Sequence, residues 1–338
     1  MRTEISTIGK EAATARLFEG TGFKNERTPH LSEKGEVVTS HKILLEGVDF
    51  DLVYTPLKHL GYKAALYVMG DVFAALRQPV AVSVQLGLSS RFCYEDVEQF
   101  WQGVTAAAKE HGLKHLGLDL NPSVNGLCIS LSAAGVQRKA VVEQIPAPKN
   151  MDLICLTGRL GAAYMGLHIL EREKVSFNKS GAQPDLSKYK GVLASYLSPE
   201  IKQNVVSRFT DDKVYPSSGY FVTRGLGDAA LRLAADSGFG VKIYLEKIPL
   251  SEETFTVADE LGIDPVTAAM NGGDDYQFIF TIPIEKHNVI RKDFQDYDVI
   301  GHLARPEAGV VIVTPEGAEI PIHAQGYTAV EPSPEAEE

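Results

Sequence analysis

The stretch Asn271-Gly272-Gly273-Asp274-Asp275-Tyr276-Gln277-Phe278-Ile279-Phe280 decides how the rest of the chain is read. Two glycines free the backbone for a tight turn or a close approach to a ligand, and two adjacent carboxylates follow. The aromatic and aliphatic run after them predicts a strand. A carboxylate pair at the mouth of a strand suits a polar ligand or a hydrated cation. It equally suits a turn that ends in solvated acids, and the segment alone leaves both open.

Outward from this point, short strands alternate with amphipathic helices. Toward the N-terminus the pattern predicts a helix over Ile8–Phe18, a polar loop over Asn25–Gly35, and strand at Val37-Val38 and Ile43–Leu45. Pro56 precedes a long helix over Leu57–Leu76. Val80–Leu88 alternates apolar and polar residues as a strand does. A second helix over Tyr94–His111 ends at Gly112, and strands are expected at Leu116–Leu120 and Leu127–Leu131. Pro146, Pro148, Lys149 and Asn150 mark a break. Beyond it come a strand at Leu153–Leu156, a helix over Ala162–Glu173, an exposed polar loop over Ser176–Lys190, a helix over Leu226–Ser237 and a strand at Val241–Leu245. With no fixed repeat, this alternation predicts an α/β (α+β) chain in two domains, divided between 148 and 149. The acidic, proline-containing end from Glu331 to Glu338 reads as a disordered tail.

At 338 residues the chain is long enough for two ordinary cores. Hydrophobic residues make up 44% and charged ones 23%, the balance of a water-soluble globular protein. A net charge of -11 argues against nucleic acid and anionic membrane surfaces as partners. It does not argue against a nucleotide, because magnesium lets acidic residues recruit phosphates. Cys93, Cys128 and Cys155 form no CxxC pair and read as reduced thiols. No apolar run reaches membrane-spanning length, and the N-terminus lacks the apolar core of a signal peptide. A cytoplasmic protein is the expectation. A glycine-rich Walker sequence is absent, which excludes a P-loop enzyme. His59, His111 and His168 stand apart and suggest no metal spacing.

Several further segments, taken in order, resemble the thiamine-monophosphate kinases of the PurM-like, AIR synthase-related ATP-binding superfamily. Val38–Asp51 (VTSHKILLEGVDFD) is similar to that family's VTTDMLVEGVHFD. Val68-Met69-Gly70-Asp71 stands where the family has Asn-x-Ser-Asp, and Gly117-Leu118-Asp119 where it has Gly-Gly-Asp-Thr. Thr157-Gly158-Arg159-Leu160-Gly161, Ser237–Gly240, Asn271–Phe280 and Gln325-Gly326-Tyr327 match later landmarks. The resemblance implies a two-domain PurM-like fold: an ATP-binding domain over 1–148, a larger α/β domain over 149–330, and a homodimer formed through the N-terminal sheets.

It also implies transfer of the γ-phosphoryl of ATP to thiamine monophosphate, giving thiamine diphosphate, with Mg2+ held by aspartates. Such a reaction leaves the protein mainly positioning and charge neutralisation to perform. By resemblance Asp71 and Asp119 are the metal and catalytic acids, and Gly117 and Gly158 contact the cofactor. Asp49, Asp274, Asp275, Tyr276 and Tyr327 fall to the substrate.

The chain departs from the pattern where the family keeps its acids. The early Gly-Asp-Asp motif is replaced by Asn25–His30. The aspartate of Thr-Thr-Asp falls on Lys42, or on His41 with a one-residue gap. Asp-x-Ser-Asp-Gly-Leu reads Phe221-Val222-Thr223-Arg224-Gly225-Leu226. An arginine keeps its proton and inverts the charge at a metal position. Asp228, one turn after Arg224, is the expected partner of that arginine. Two functions stay open: a kinase in which Arg224, with Lys42, acts as a fixed cation on the phosphates, or a catalytically inactive paralogue that binds nucleotide or thiamine phosphate as a regulator or partner.

Overall fold

The computed structural model describes residues 3–26, 31, 34–201, 203–211, 213–288 and 297–324, with side chains at 203–206 excepted. The first half builds a four-stranded sheet from β1 (Glu36–Leu45), β2 (Gln78–Leu88), β3 (His115–Pro122) and β4 (Leu127–Gln137), in the order β1-β4-β2-β3. Its helices are α1 (Ile5–Ile8), α2 (Lys10–Phe18), α3 (Leu57–Ala74), α4 (Tyr94–Glu110) and α5 (Lys139–Val142). Gly9, at φ 85°, separates α1 from α2, so the single helix expected over Ile8–Phe18 begins only at Lys10. The two strand fragments expected near residue 40 are one continuous strand, because the polar Thr39-Ser40-His41-Lys42 stretch pairs with β4 throughout.

Helices α3 and α4 approach closely because glycines face each other's backbones. A β-carbon on Gly61 would lie 1.9 Å from the Phe100 carbonyl oxygen, and one on Gly103 2.0 Å from that of Lys58. Both helices cover one face of the sheet. Cross-strand register puts Ser40, Ala133, Val82 and Leu116 on that face, followed by Lys42, Leu131, Val84 and Leu118. The opposite face carries Ile43, Ser130, Gln85 and Asp119 in one row.

The second half is a seven-stranded sheet in the order β11-β10-β7-β9-β5-β8-β6. Its strands are β5 (Leu153–Thr157), β6 (Ser218–Val222), β7 (Gly240–Tyr244), β8 (Gln277–Ile282), β9 (Tyr297–Ala304), β10 (Val310–Val313) and β11 (Glu319–Pro321). The helices are α6 (Ala162–Ser180), α7 (Lys190–Leu197), α8 (Gln203–Asp211), α9 (Gly225–Ser237), α10 (Glu252–Leu261) and α11 (Pro265–Asn271). Helix α6 continues through Ser176–Ser180, where polar composition had predicted loop; the side chains there are solvent-facing but the backbone stays helical to Gly181.

Period-two alternation divides this sheet between two cores. Cys155, Phe221, Phe278 and Phe280 join α3 in a core shared by both halves. Ile154, Leu156, Val222 and Ile279 point the other way, into a core with Leu226, Ala230 and Leu233 of α9. Helix α3 is therefore packed between the two sheets, and its residues furnish one wall of the site.

Candidate functional site

Val222, the last residue of β6, leads into Thr223 and Arg224, and Arg224 caps the N-terminus of α9. The 271–276 loop lies alongside. Asp274 and Tyr276 donate backbone N–H groups to the carbonyls of Thr223 (3.0 Å) and Val222 (3.1 Å). The approach requires glycine at Gly225, whose φ is 87° and whose β-carbon would stand 2.3 Å from the Met270 oxygen. Gly273, Asp274 and Tyr276 all have positive φ, of 76°, 57° and 54°. Two non-glycine residues held left-handed in one short turn store backbone strain that the surrounding packing must offset.

Helix α3 faces this loop with Lys63, Tyr67, Gly70 and Asp71, spaced to lie along one side. The Lys63 ammonium meets the Asp274 carboxylate at 2.9 Å and lies 3.7 Å above the Tyr196 ring. Its side chain is 9% exposed. The Tyr276 hydroxyl donates to the Lys63 carbonyl at 3.2 Å, and its ring meets Phe221 edge-on at 5.3 Å. Burial, helped by Asp274, pushes the Tyr276 hydroxyl far above its ordinary pKa, so it serves as a donor.

Two turns along α3 from Lys63, Asp71 accepts from Ser40 Oγ at 2.9 Å and pairs with the Lys42 ammonium at 2.8 Å. Lys42 also lies 4.9 Å from the centre of the Tyr67 ring. The Arg224 guanidinium lies beside the Tyr67 hydroxyl, whose proximity raises the arginine further above its ordinary value. Lys42 and Arg224, the two cations that replace acids of the resembled motifs, thus meet at a single tyrosine.

The structure brings Asp71, Arg224, Asp274, Asp275 and Tyr276 to one interface between the halves. Asp275 is buried at 8% exposure, and its Oδ1 accepts from the Gly161 N–H at 2.8 Å. Burial pushes its carboxyl well above the usual range, and Oδ2 has no hydrogen-bond partner among the described residues. It is a strut between the 271–276 loop and the start of α6, rather than a group open to substrate. Gly158, at φ 60°, lies against the Gln277 amide. Asp49 accepts from the Leu45 N–H at 2.7 Å and closes its own turn around Gly47. Asp228 pairs with Arg232 at 2.8 Å, not with Arg224, because the i,i+4 partner shares its helix face while Arg224 turns toward Tyr67.

Asp119 stands apart. It lies on the sheet face opposite Ser40 and Lys42, pairs with Lys10 at 2.5 Å and accepts from Asn121 at 3.2 Å. Gly117 precedes it on the same face, where a β-carbon would strike the Glu26 carbonyl oxygen at 2.7 Å. Asp71 and Asp119, expected to hold one metal, therefore do not converge within this chain. Tyr327 and the other landmarks of 325–327 lie outside the described residues, as do the 331–338 tail and the 27–30 part of the lost acid motif.

A magnesium ion is implied by the resemblance, and the donor set does not fit it. Magnesium requires several hard oxygens in near-octahedral order. Among the described residues no three His, Cys, Asp or Glu side chains come together. Asp71, Asp119 and Asp274 each carry a lysine ammonium where a cation would bind. Tyr67 and Tyr196 went unread in the sequence, and Lys63 and Phe221 were given no role in the site. A lysine inside the apolar run of α3 is the signal that could have marked this wall.

The N-terminal half matches the AIR synthase related protein, N-terminal domain, over residues 24–137. The first half thus carries an AIR synthase related domain, and the two-sheet chain has a PurM-like fold. Its relatives include thiamine-monophosphate kinases. It is 28% identical over 318 residues to the thiamine-monophosphate kinase of Aquifex aeolicus (strain VF5), covering 93% of this chain and 97% of that protein. It is also 24% identical to the putative hydrogenase expression/formation protein MJ0676 of Methanocaldococcus jannaschii, over 79% of this chain and 77% of that one. The solved structure of AaThiL complexed with AMPPCP and TMP shares the fold, with TM-score 0.71 and 24% identity, over 94% and 96% of the two chains. No helix among the described residues is long and apolar enough to cross a membrane.

Proposed function

We propose that this chain is a thiamine-monophosphate-kinase-like protein that takes ATP and thiamine monophosphate at the interface between its halves. The observation that carries the reading is the near-full-length likeness to the Aquifex kinase together with the assembled wall of Asp71, Arg224 and Asp274. Transfer of the γ-phosphoryl group asks for in-line positioning and for cations on the equatorial oxygens. Arg224, exposed and permanently charged, is the group suited to that charge, and Lys42 stands beside it. Asp71 sits close to Lys42 and Ser40, where it orients both.

A second reading has an observation of its own. Each candidate metal acid is already neutralised by a lysine, which suits a binding protein that has lost turnover and serves as a regulator or partner. ATP-dependent formation of thiamine diphosphate by the purified, folded protein separates the two. Product well above a no-enzyme control supports the kinase, and loss of that product in Arg224→Ala supports the role of Arg224. No product, with a thermal shift on adding ATP or thiamine monophosphate, supports the binder. Neither product nor shift rejects both.

We further propose a homodimer through the uncovered face of the first sheet. Val37, Ile43 and Leu45 are 51%, 54% and 39% exposed there, beside the small residues Ser130, Ser132 and Ala134. Ile43→Lys should convert a dimer to monomer in light scattering; a wild-type monomer rejects the proposal.

A further inference from the structure

The interface site has an electrostatic character opposite to that of the chain that carries it. The protein as a whole has a net charge of -11. At the interface, Lys42, Lys63 and Arg224 face Asp71 and Asp274, three cations against two carboxylates. Asp228 is occupied by Arg232. Asp275 is buried, and its burial favours the neutral acid.

The spare positive charge has a place. Lys63 is almost sealed from solvent and committed to Asp274 and the Tyr196 ring. Arg224 is exposed, and its guanidinium has no carboxylate within ion-pair distance among the described residues. Its neighbour is the Tyr67 hydroxyl, beside which the fork of five N–H donors has donors to spare for a ligand. Lys42, 18% exposed, keeps donors beyond the one it gives Asp71, and the Tyr67 ring holds it near the arginine. An arginine fork and an ammonium converging on one tyrosine match the oxygens of a phosphate group. A magnesium ion has no comparable set of oxygens at this point.

We infer that Lys42 and Arg224, aligned by Tyr67, form a phosphate-binding cradle that works without a divalent cation. The site takes the di- or triphosphate chain of its ligand as the bare anion. This rests on the proposed function for the identity of the ligand, but not for the mode of binding. Both cations sit on backbone that is locked in place. Lys42 lies in a strand paired with β4 on one side, and Arg224 is fixed by the interlocked 223–225 and 270–276 segments. The cradle is thus present before the ligand arrives, which lowers the ordering cost of binding.

Calorimetric titration of the full chain with AMPPCP, once in EDTA and once in excess magnesium, tests the inference. The expected result is binding in both buffers with Kd values within about threefold, weakened by about tenfold or more in Arg224→Met and in Lys42→Met. Salt should weaken the EDTA binding steeply, as it does for anions held by charge. Binding that appears only with magnesium overturns the cradle and leaves the proposed function standing. Equal affinity in wild type and both variants also overturns it, since the phosphates then bind elsewhere. Absence of binding in either buffer, by protein whose circular dichroism shows it folded, overturns the cradle and nucleotide binding together. A Lys42→Asp variant provides the reverse test: beside Asp71 and Ser40 it restores an oxygen cluster, and its AMPPCP binding should become stronger with magnesium than in EDTA.

Discussion

The ring of Phe221 fills the space that a β-carbon on Gly70 would need, with Cδ1 2.0 Å from that position. In the sequence these are two separate departures from the resembled motifs, a serine become Gly70 and an aspartate become Phe221. In the fold they are one event. A phenylalanine enters the interface between the halves because glycine opposite gives it room, and an acid site becomes part of the shared core. Gly70→Ala should therefore destabilise the protein by about 1–3 kcal/mol through overpacking, and Phe221→Ala by about 3–5 kcal/mol through a cavity. In urea unfolding the double variant should cost less than the sum of the two. Additive effects would mean that the residues do not share the space.

The Lys63–Asp274 pair gives a second prediction. It joins α3 to a loop in which Asp274 is held at positive φ. Lys63→Met leaves an unpaired, three-quarters-buried carboxylate and should cost about 2 kcal/mol, reduced from the fully buried case because Asp274 keeps 27% exposure. Lys63→Met with Asp274→Asn should recover most of that loss. A double variant no more stable than Lys63→Met alone would show that the methylene stem over Tyr196, not the charge, is what matters.

Much of the fold was legible from periodicity and punctuation. Leu57–Leu76 and Tyr94–His111 announce α3 and α4 through helical spacing, and Val80–Leu88 announces β2 through alternation. Strand β6 did not announce itself, because its five residues include Gly219, which is there to let the Ala74 carbonyl approach. The site was half legible. Asp274, Asp275 and Tyr276 drew attention as a motif, but their different fates depend on what lies across the interface. Lys63 meets one, the Gly161 N–H and burial claim the next, and the Lys63 carbonyl receives the third. That Asp71 and Asp119 sit on opposite sheet faces is a matter of strand register and packing, which no local pattern reports.

His111 closes α4 at 2% exposure beside Phe73, and neither ring nitrogen has a hydrogen-bond partner among the described residues. Burial lowers its pKa, so the folded protein resists the proton that the unfolded chain accepts below about pH 6.5. The stability it contributes is present above that pH and is lost as pH falls. His168 and His302 are lowered by burial too and add in the same direction. The histidines should pull the thermal midpoint down between about pH 7 and pH 5.5, and His111→Phe should gain on wild type over that range. An unchanged slope would mean that His111 does not resist protonation in the fold.

Asp275 predicts the opposite pH behaviour. Its burial outweighs the hydrogen bond from Gly161, and the neighbouring Asp274 charge raises its carboxyl further. Below about pH 3.8 folded and unfolded chains both carry the proton, and the full contribution is present. As pH rises past that value the unfolded chain ionises while the folded one keeps its proton, so stability falls at up to about 1.4 kcal/mol per pH unit until the folded pKa is reached. Asp275→Asn removes the titration and keeps an oxygen for the Gly161 N–H. The variant should gain on wild type as pH rises above about 4 in chemical denaturation. It should also leave AMPPCP affinity within about twofold, since the side chain lies behind the 271–276 loop, turned to α6. A stability difference that does not change with pH would show that Asp275 is ionised in the fold. A large loss of affinity would return it to the ligand-binding surface where its place in the motif first put it.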